Sequence, residues 1–239
     1  MDATRNDAFF LDFDGTLIDT APTPDGARAG SRVRDVLRRL MASTRGATMI
    51  VTGRQIAVLD AMLHIRLPAA GQHGAEIRFF NPALESVHVG VEGYSRLLAR
   101  CEAIRERHPG ALLEDKNPTV ALHLEAGTPA FLSMLSDMRA LAAEWEGRLA
   151  CIVAHNVVEL RPANVNKGRV LDCAALFRPF AGRRPIFIGN DIPDIDGFRA
   201  AAAGGGYGVS VGTALEGARY RIDSPARVLD ALDRIAAAA

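Results

Sequence analysis

Cysteine is scarce: Cys101, Cys151 and Cys173 are the three in 239 residues. The number is odd and no pair has CxxC spacing, so neither a disulfide framework nor a zinc site is expected, and a reducing cytoplasm suits the chain. Each reads as a small buried apolar residue. An excess of charge is missing too, since 28 Lys and Arg face 28 Asp and Glu. That balance removes the global basic bias that would draw nucleic acid or an anionic membrane. The start of the chain lacks a long apolar run, because Asp12 separates Ala8–Leu11 from Phe13. A secretory core takes about 7–15 apolar residues and a membrane span about 20. The expected protein is cytoplasmic and monomeric, binds neither nucleic acid nor membrane, and acts on a small molecule.

What is present is an ordinary globular composition, 49% hydrophobic and 23% charged, enough to bury a sizeable core. Ala8–Phe13 reads as a buried strand halted by Asp14-Gly15-Thr16. Val33, Val36, Leu37, Leu40 and Met41 mark an amphipathic helix, Ala47–Val51 a second strand, and the stretch from Gln55 to Leu63 a second helix. This alternation predicts parallel βαβ units. A different rhythm follows: a helix through Tyr94, Leu97, Cys101 and Ile104, strands at Ala111–Lys116 and Thr119–Glu125, a helix capped by Thr128-Pro129, and strands at Leu149–Val153 and Val157–Arg161. That is an α+β module with an antiparallel sheet. The α/β rhythm returns with a helix near Lys167, a strand at Pro185–Ile188, a helix after Asp194, a strand at Tyr207–Val211 and a helix begun by Ser224-Pro225. The fold class is α/β: a doubly wound parallel-sheet core, residues 1–90 and 164–239, interrupted by an inserted α+β cap domain, residues 91–163. His64, His88, His108 and His155 show no partner spacing and read as surface or satisfied histidines.

The sharpest signal is Asp12-Phe13-Asp14-Gly15-Thr16-Leu17 at the end of the first strand. In open α/β sheets, ligands sit at the carboxyl ends of the strands. Two carboxylates just past a buried strand are costly unless a charge compensates them, and a hard divalent cation does so. One carboxylate can then attack phosphorus while the other moves protons to the leaving oxygen and from water. An isolated DxD would read equally well as a polar turn.

This string resembles the first motif of the haloacid-dehalogenase-like phosphatases. The resemblance implies Asp12 as nucleophile and Asp14 as acid and base, with Mg2+ held by the Asp12 carboxylate and the Asp14 main-chain carbonyl. Val51-Thr52-Gly53-Arg54 resembles the second motif, whose threonine hydroxyl meets the phosphoryl oxygens. Asn166-Lys167-Gly168 resembles the third, whose lysine neutralises charge there. Gly189-Asn190-Asp191-Ile192-Pro193-Asp194 resembles the acidic fourth, although members usually carry GDD where this chain has Gly189-Asn190-Asp191. Either Asn190 or Asp191 then supplies the metal-facing oxygen, with Asp194 behind it. A site with fewer charges binds its cation more weakly.

In the inserted module, strand alternation puts Glu114 with Lys116, His123 with Glu125, and Glu159 with Arg161 on shared faces. Such faces can present polar groups to sugar hydroxyls or be solvated surface. Glu114-Asp115-Lys116, Ala121-Leu122-His123, Glu159-Leu160-Arg161-Pro162 and Gly71-Gln72-His73-Gly74-Ala75-Glu76 resemble the trehalose-6-phosphate phosphatase family within that superfamily. The implied activity is Mg2+-dependent hydrolysis of trehalose 6-phosphate. The implied substrate set is Glu114, Lys116 and Glu159 on the sugar, with Gly53, Arg54, His73, Gly74 and Glu76 lining the cleft. The family usually has a tyrosine and an arginine where Leu124-Glu125 stand here, which keeps another sugar phosphate, of sucrose 6-phosphate or mannosyl phosphate type, as an alternative. A non-catalytic sugar-phosphate sensor is a second, which Asn190 favours and intact Asp12, Asp14, Thr52 and Lys167 oppose.

Overall fold

The computed structural model describes residues 2–20, 29–80, 87–88, 91–154 and 156–238. The chain divides into two compact units, Met1–Val87 with Asn166–Ala239, and His88–Val165. Among the described residues no helix is long and apolar enough to cross a membrane.

The first unit is built on β1 (Ala8–Leu11), whose four residues are all buried. Phe9 and Leu11 enter one apolar cluster; Ala8 and Phe10 enter another. A strand packed on both faces reads as a continuous apolar run, as a parallel strand covered by helices should. Its neighbours are β2 (Thr48–Val51) and β10 (Pro185–Gly189), both parallel to it. Beyond β10 lie β11 (Tyr207–Val211) and β12 (Ala218–Ile222), also parallel. Beyond β2 lie parallel β3 (Ala69–Gly71), then antiparallel β4 (Glu76–Arg78), then β5 (Val87–His88). The described strands thus form an eight-stranded sheet ordered β12-β11-β10-β1-β2-β3-β4-β5. On one face α1 (Ser31–Ser43), α2 (Ile56–Leu63) and α7 (Pro225–Ala237) bury Val36, Leu37, Leu59, Val228 and Leu232. On the other, α5 (Lys167–Ala174) and α6 (Ile195–Ala203) bury Val170, Leu171 and Phe198. Helices on both faces of a largely parallel sheet make the core doubly wound, and they leave the carboxyl strand ends open for a site.

The second unit is a four-stranded antiparallel sheet ordered β6-β7-β9-β8, from β6 (Leu112–Asp115), β7 (Val120–His123), β8 (Leu149–Ala154) and β9 (Val157–Pro162). Two helices, α3 (Tyr94–Arg107) and α4 (Pro129–Ala143), pack on one face. There Leu97, Cys101, Ile104, Phe131, Met134 and Met138 meet Val120, Leu122, Val158 and Leu160. All three cysteines are free; Cys101 is buried as expected, whereas Cys151 and Cys173 are only partly covered. Burial pushes the Cys101 thiol up to about 12. His108 is buried beside Asp137, with Nε2 2.9 Å from Oδ2, whereas His64 is exposed. His155 lies outside the described residues.

Candidate active site

Asp12 follows directly on β1, and its N–H is bonded to the Ile188 carbonyl of β10. The carboxylate is buried, with Oδ1 2.6 Å from Lys167 Nζ and Oδ2 accepting from the Thr16 hydroxyl at 2.9 Å. Lys167 occupies the first turn of α5, where the Asn166 side chain caps the helix by accepting from the Arg169 N–H. The same ammonium lies 2.5 Å from Asp194 Oδ1. Burial works against the charge of the lysine, but Asp12 and Asp194 outweigh it and hold the ammonium above the usual lysine range. One ammonium cannot fully offset two carboxylates. Burial, opposed by Lys167 and aided by Asp194, therefore pushes Asp12 up to about 7.

Asp194 is the best-anchored acid of the group. Its Oδ2 accepts from the main-chain N–H groups of Asn190 and Asp191, at 2.8 and 3.0 Å. Gly189 makes room for it, since a Cβ there would fall 2.3 Å from the Asp194 carboxyl carbon. Asp191 turns outward, exposed, and its Oδ1 accepts from the Ile192 N–H. Asn190 turns inward. The end of its amide lies 2.8 Å from the Asp14 carbonyl oxygen, 3.0 Å from Asp12 Oδ2 and 3.1 Å from Thr16 Oγ1. Gly15, at φ +77°, carries the chain through this turn, and a Cβ on it would strike the Asn190 amide.

Asp14 points its carboxylate to Arg54, whose Nε and Nη2 donate to its two oxygens at 2.6 and 2.8 Å. Thr52 is buried just past β2, and its hydroxyl accepts from the Arg54 N–H. Beside it, the short helical turn Gln72–Gly74 after β3 returns a hydrogen bond from the His73 N–H to the Thr52 carbonyl. The His73 ring lies over Gly53, where a Cβ would meet Nε2 at 2.8 Å. Gly74 packs on Val170 of α5, and Glu76 accepts from the Gln72 side chain. Four strand ends and the start of α5 thus bring Asp12, Asp14, Thr52, Arg54, His73, Lys167, Asn190 and Asp194 together. Thr16 and Asp194 have contacts that their one-dimensional positions hide.

Among the described residues no three His, Cys, Asp or Glu side chains form a metal-ligating cluster. The oxygens that face the Asn190 amide are of mixed kind: one carboxylate, one main-chain carbonyl and one hydroxyl. All are hard donors, and this set fits a magnesium ion.

In the second unit, Glu114 and Glu159 flank Ala121 in register across β6, β7 and β9. Lys116 Nζ bridges them, 3.0 Å from Glu159 Oε2 and 3.3 Å from Glu114 Oε2. His123 Nε2 is 2.9 Å from the same Glu114 oxygen. The His123 hydrogen bond, helped by Lys116 against burial, holds the Glu114 carboxyl below its usual range. Burial opposes the charge of Lys116, yet Glu159 and Glu114 hold its ammonium above the lysine range. This polar cluster lies on the sheet face opposite α3 and α4.

The family model described as trehalose-phosphatase matches residues 10–224. The trehalose-6-phosphate phosphatase of Escherichia coli (strain K12) is 31% identical over 216 residues, spanning 90% of this chain and 81% of that protein. The solved C-terminal domain of C. albicans trehalose-6-phosphate phosphatase superposes with a TM-score of 0.80 at 19% identity, covering 96% of this chain and 91% of that one. A haloacid dehalogenase-like hydrolase from Bacteroides thetaiotaomicron superposes with a TM-score of 0.69 at 19% identity, covering 96% and 99%. At that identity the two structures show the fold.

Proposed function

This chain belongs to the trehalose-phosphatase family, and from that premise we infer that it hydrolyses trehalose 6-phosphate to trehalose and phosphate, the last step of trehalose biosynthesis, with Mg2+ as cofactor. As a member it is a phosphoric monoester hydrolase of haloacid-dehalogenase-like fold. The observation that carries the finer reading is the buried triad at the strand ends, with Lys167 Nζ 2.6 Å from Asp12 Oδ1 and 2.5 Å from Asp194 Oδ1. A sensor has no use for a buried carboxylate set against a lysine at the mouth of a parallel sheet; a nucleophile facing a dianion needs both.

The phosphate monoester is a dianion whose unaided hydrolysis is among the slowest reactions known. Asp12 attacks phosphorus as the bond to the sugar oxygen breaks, and Asp14 gives that oxygen a proton. Asp14 then takes a proton from the water that attacks the aspartyl phosphate, which returns Asp12 and releases phosphate. Lys167 neutralises charge on Asp12 and the phosphoryl group, and the Thr52 hydroxyl donates to a phosphoryl oxygen. Asp194 positions Lys167. Bound through Asp12, the Asp14 carbonyl and Asn190, Mg2+ would supply the rest of the charge neutralisation. Gly53, Arg54, His73, Gly74 and Glu76 would line the cleft. Glu114, Lys116 and Glu159 would take the sugar hydroxyls, and residues 91–163 would form the specificity domain.

Leu124-Glu125 keep a second reading alive, the same chemistry on another sugar phosphate. Phosphate release from a panel of sugar phosphates, with Mg2+ and with chelator, decides between them. Selective, chelator-sensitive turnover of trehalose 6-phosphate supports the first reading. Turnover of another sugar replaces it with the second, and no turnover of any substrate sinks both.

A further inference from the structure

The amide of Asn190 faces three oxygens, and two of them, the Asp14 carbonyl at 2.8 Å and Asp12 Oδ2 at 3.0 Å, serve as acceptors. With its NH2 turned toward them, the amide donates to both. With Oδ1 turned toward them, oxygens face oxygens, and a cation between them is what relieves the repulsion. The terminal torsion of an asparagine is broad and close to two-fold, so both orientations are open to one backbone. The group is confined in other directions. Gly15 packs so closely that a Cβ there would fall 2.3 Å from Nδ2 and 2.7 Å from Cγ.

We propose that Asn190 is a metal-operated switch: without metal its NH2 bridges Asp12 and the Asp14 carbonyl as an internal donor, and a divalent cation entering between those oxygens turns the amide over so that Oδ1 becomes a ligand. The proposal rests on the reading of Mg2+ as cofactor. A carboxylate at this position would be an oxygen ligand at all times, with a full charge and no donor face. The asparagine lowers cation affinity twice, through one charge fewer and through the hydrogen bonds that metal entry breaks. It also gives the pocket a stable resting form. Lys167 already serves both Asp12 and Asp194, and a third carboxylate beside them, half-buried, would have no cation of its own.

The test uses the full chain after chelator treatment, titrated with MgCl2 by calorimetry as wild type and as Asn190→Asp. Side-chain amide NMR spectra of the wild type are followed through the same titration. The Asn190 signal is assigned by its loss in Asn190→Ser. We expect Asn190→Asp to bind Mg2+ at least about tenfold more tightly, and the wild-type Asn190 protons to shift and exchange faster with water at saturation. Affinities equal within about twofold would overturn the proposal while leaving the cofactor reading standing. An Asn190 signal unmoved at saturation overturns the switch even if Asn190→Asp fails to fold. Mg2+ binding to neither protein would remove the cofactor reading and the switch together.

Discussion

Arg54 grips both carboxylate oxygens of Asp14, with Nε to Oδ2 at 2.6 Å and Nη2 to Oδ1 at 2.8 Å, although 40 residues separate the two. The planar fork thus fixes where the carboxylate assigned to proton transfer stands, and one of its oxygens must leave Arg54 before it carries a proton. Arg54→Lys keeps the charge and loses the fork. We expect kcat to fall about tenfold to a hundredfold, because general acid catalysis depends on placement. Steady-state kinetics on trehalose 6-phosphate check it; an unchanged kcat would remove Arg54 from the aiming of Asp14.

Asp12→Asn should lower phosphate release by at least about a thousandfold, yet leave the protein folded. Lys167 keeps Asp194 as its partner, so no buried charge is orphaned. The melting temperature should stay within about 4 °C of wild type. Calorimetry and a phosphate assay on one sample test both halves, and near-wild-type turnover would refute the nucleophile assignment.

Lys116→Ala should raise KM for the phosphorylated disaccharide about tenfold to a hundredfold, the scale of a lost hydrogen bond to a charged group. KM for an aryl phosphate, which has no sugar to bind, should stay put. Equal effects on both substrates would take Lys116 out of sugar recognition.

The lowered pKa of Glu114 carries a stability consequence. Its folded value lies below the unfolded one near 4.5, so its contribution is present above pH 4.5 and is lost as pH falls through the folded value. Glu114→Gln lacks it at every pH. The melting-temperature gap between wild type and Glu114→Gln should be open at pH 7 and close as pH falls below 4.5. The gap is small, because the side chain is half-exposed and solvent screens it. A gap constant across that range would show that the His123 hydrogen bond does not set it.

The sequence made the site's first strand legible for a definite reason. β1 is apolar on both faces and stops at Asp12, so a charge stands where a buried run ends. Lys167 is legible through the resemblance of Asn166-Lys167-Gly168 to the third motif; a lone lysine at a helix start would read as solvated surface. The sequence places Asp194 behind the metal, but its tie to Lys167 spans 27 residues and depends on Gly189 leaving space, which no local pattern displays. One dimension does not choose between Asn190 and Asp191; in the fold Asn190 turns inward and Asp191 to solvent. The short strands carry no such signal. Ala69–Gly71 has three small residues and no period, and β4 is equally brief. β12 does alternate, with Arg219 and Arg221 exposed between half-buried Ala218, Tyr220 and Ile222, but two arginines in five residues disguise an edge strand as loop.

The position of β1 has a consequence for synthesis on the ribosome. Its two flanking strands come from widely separated parts of the chain: Phe9 pairs with Thr48 on one side and with Ile186 on the other. A nascent chain that has just emerged through Val165 holds every strand of the smaller sheet, with its largely local pairings. It still lacks β10, β11 and β12, so one long edge of the most apolar strand stays bare until the last third is made. Such an edge is a template for unwanted pairing. C-terminal truncations ending between Lys167 and Pro185 are therefore expected to aggregate even though they contain Asp12, Thr52 and Lys167.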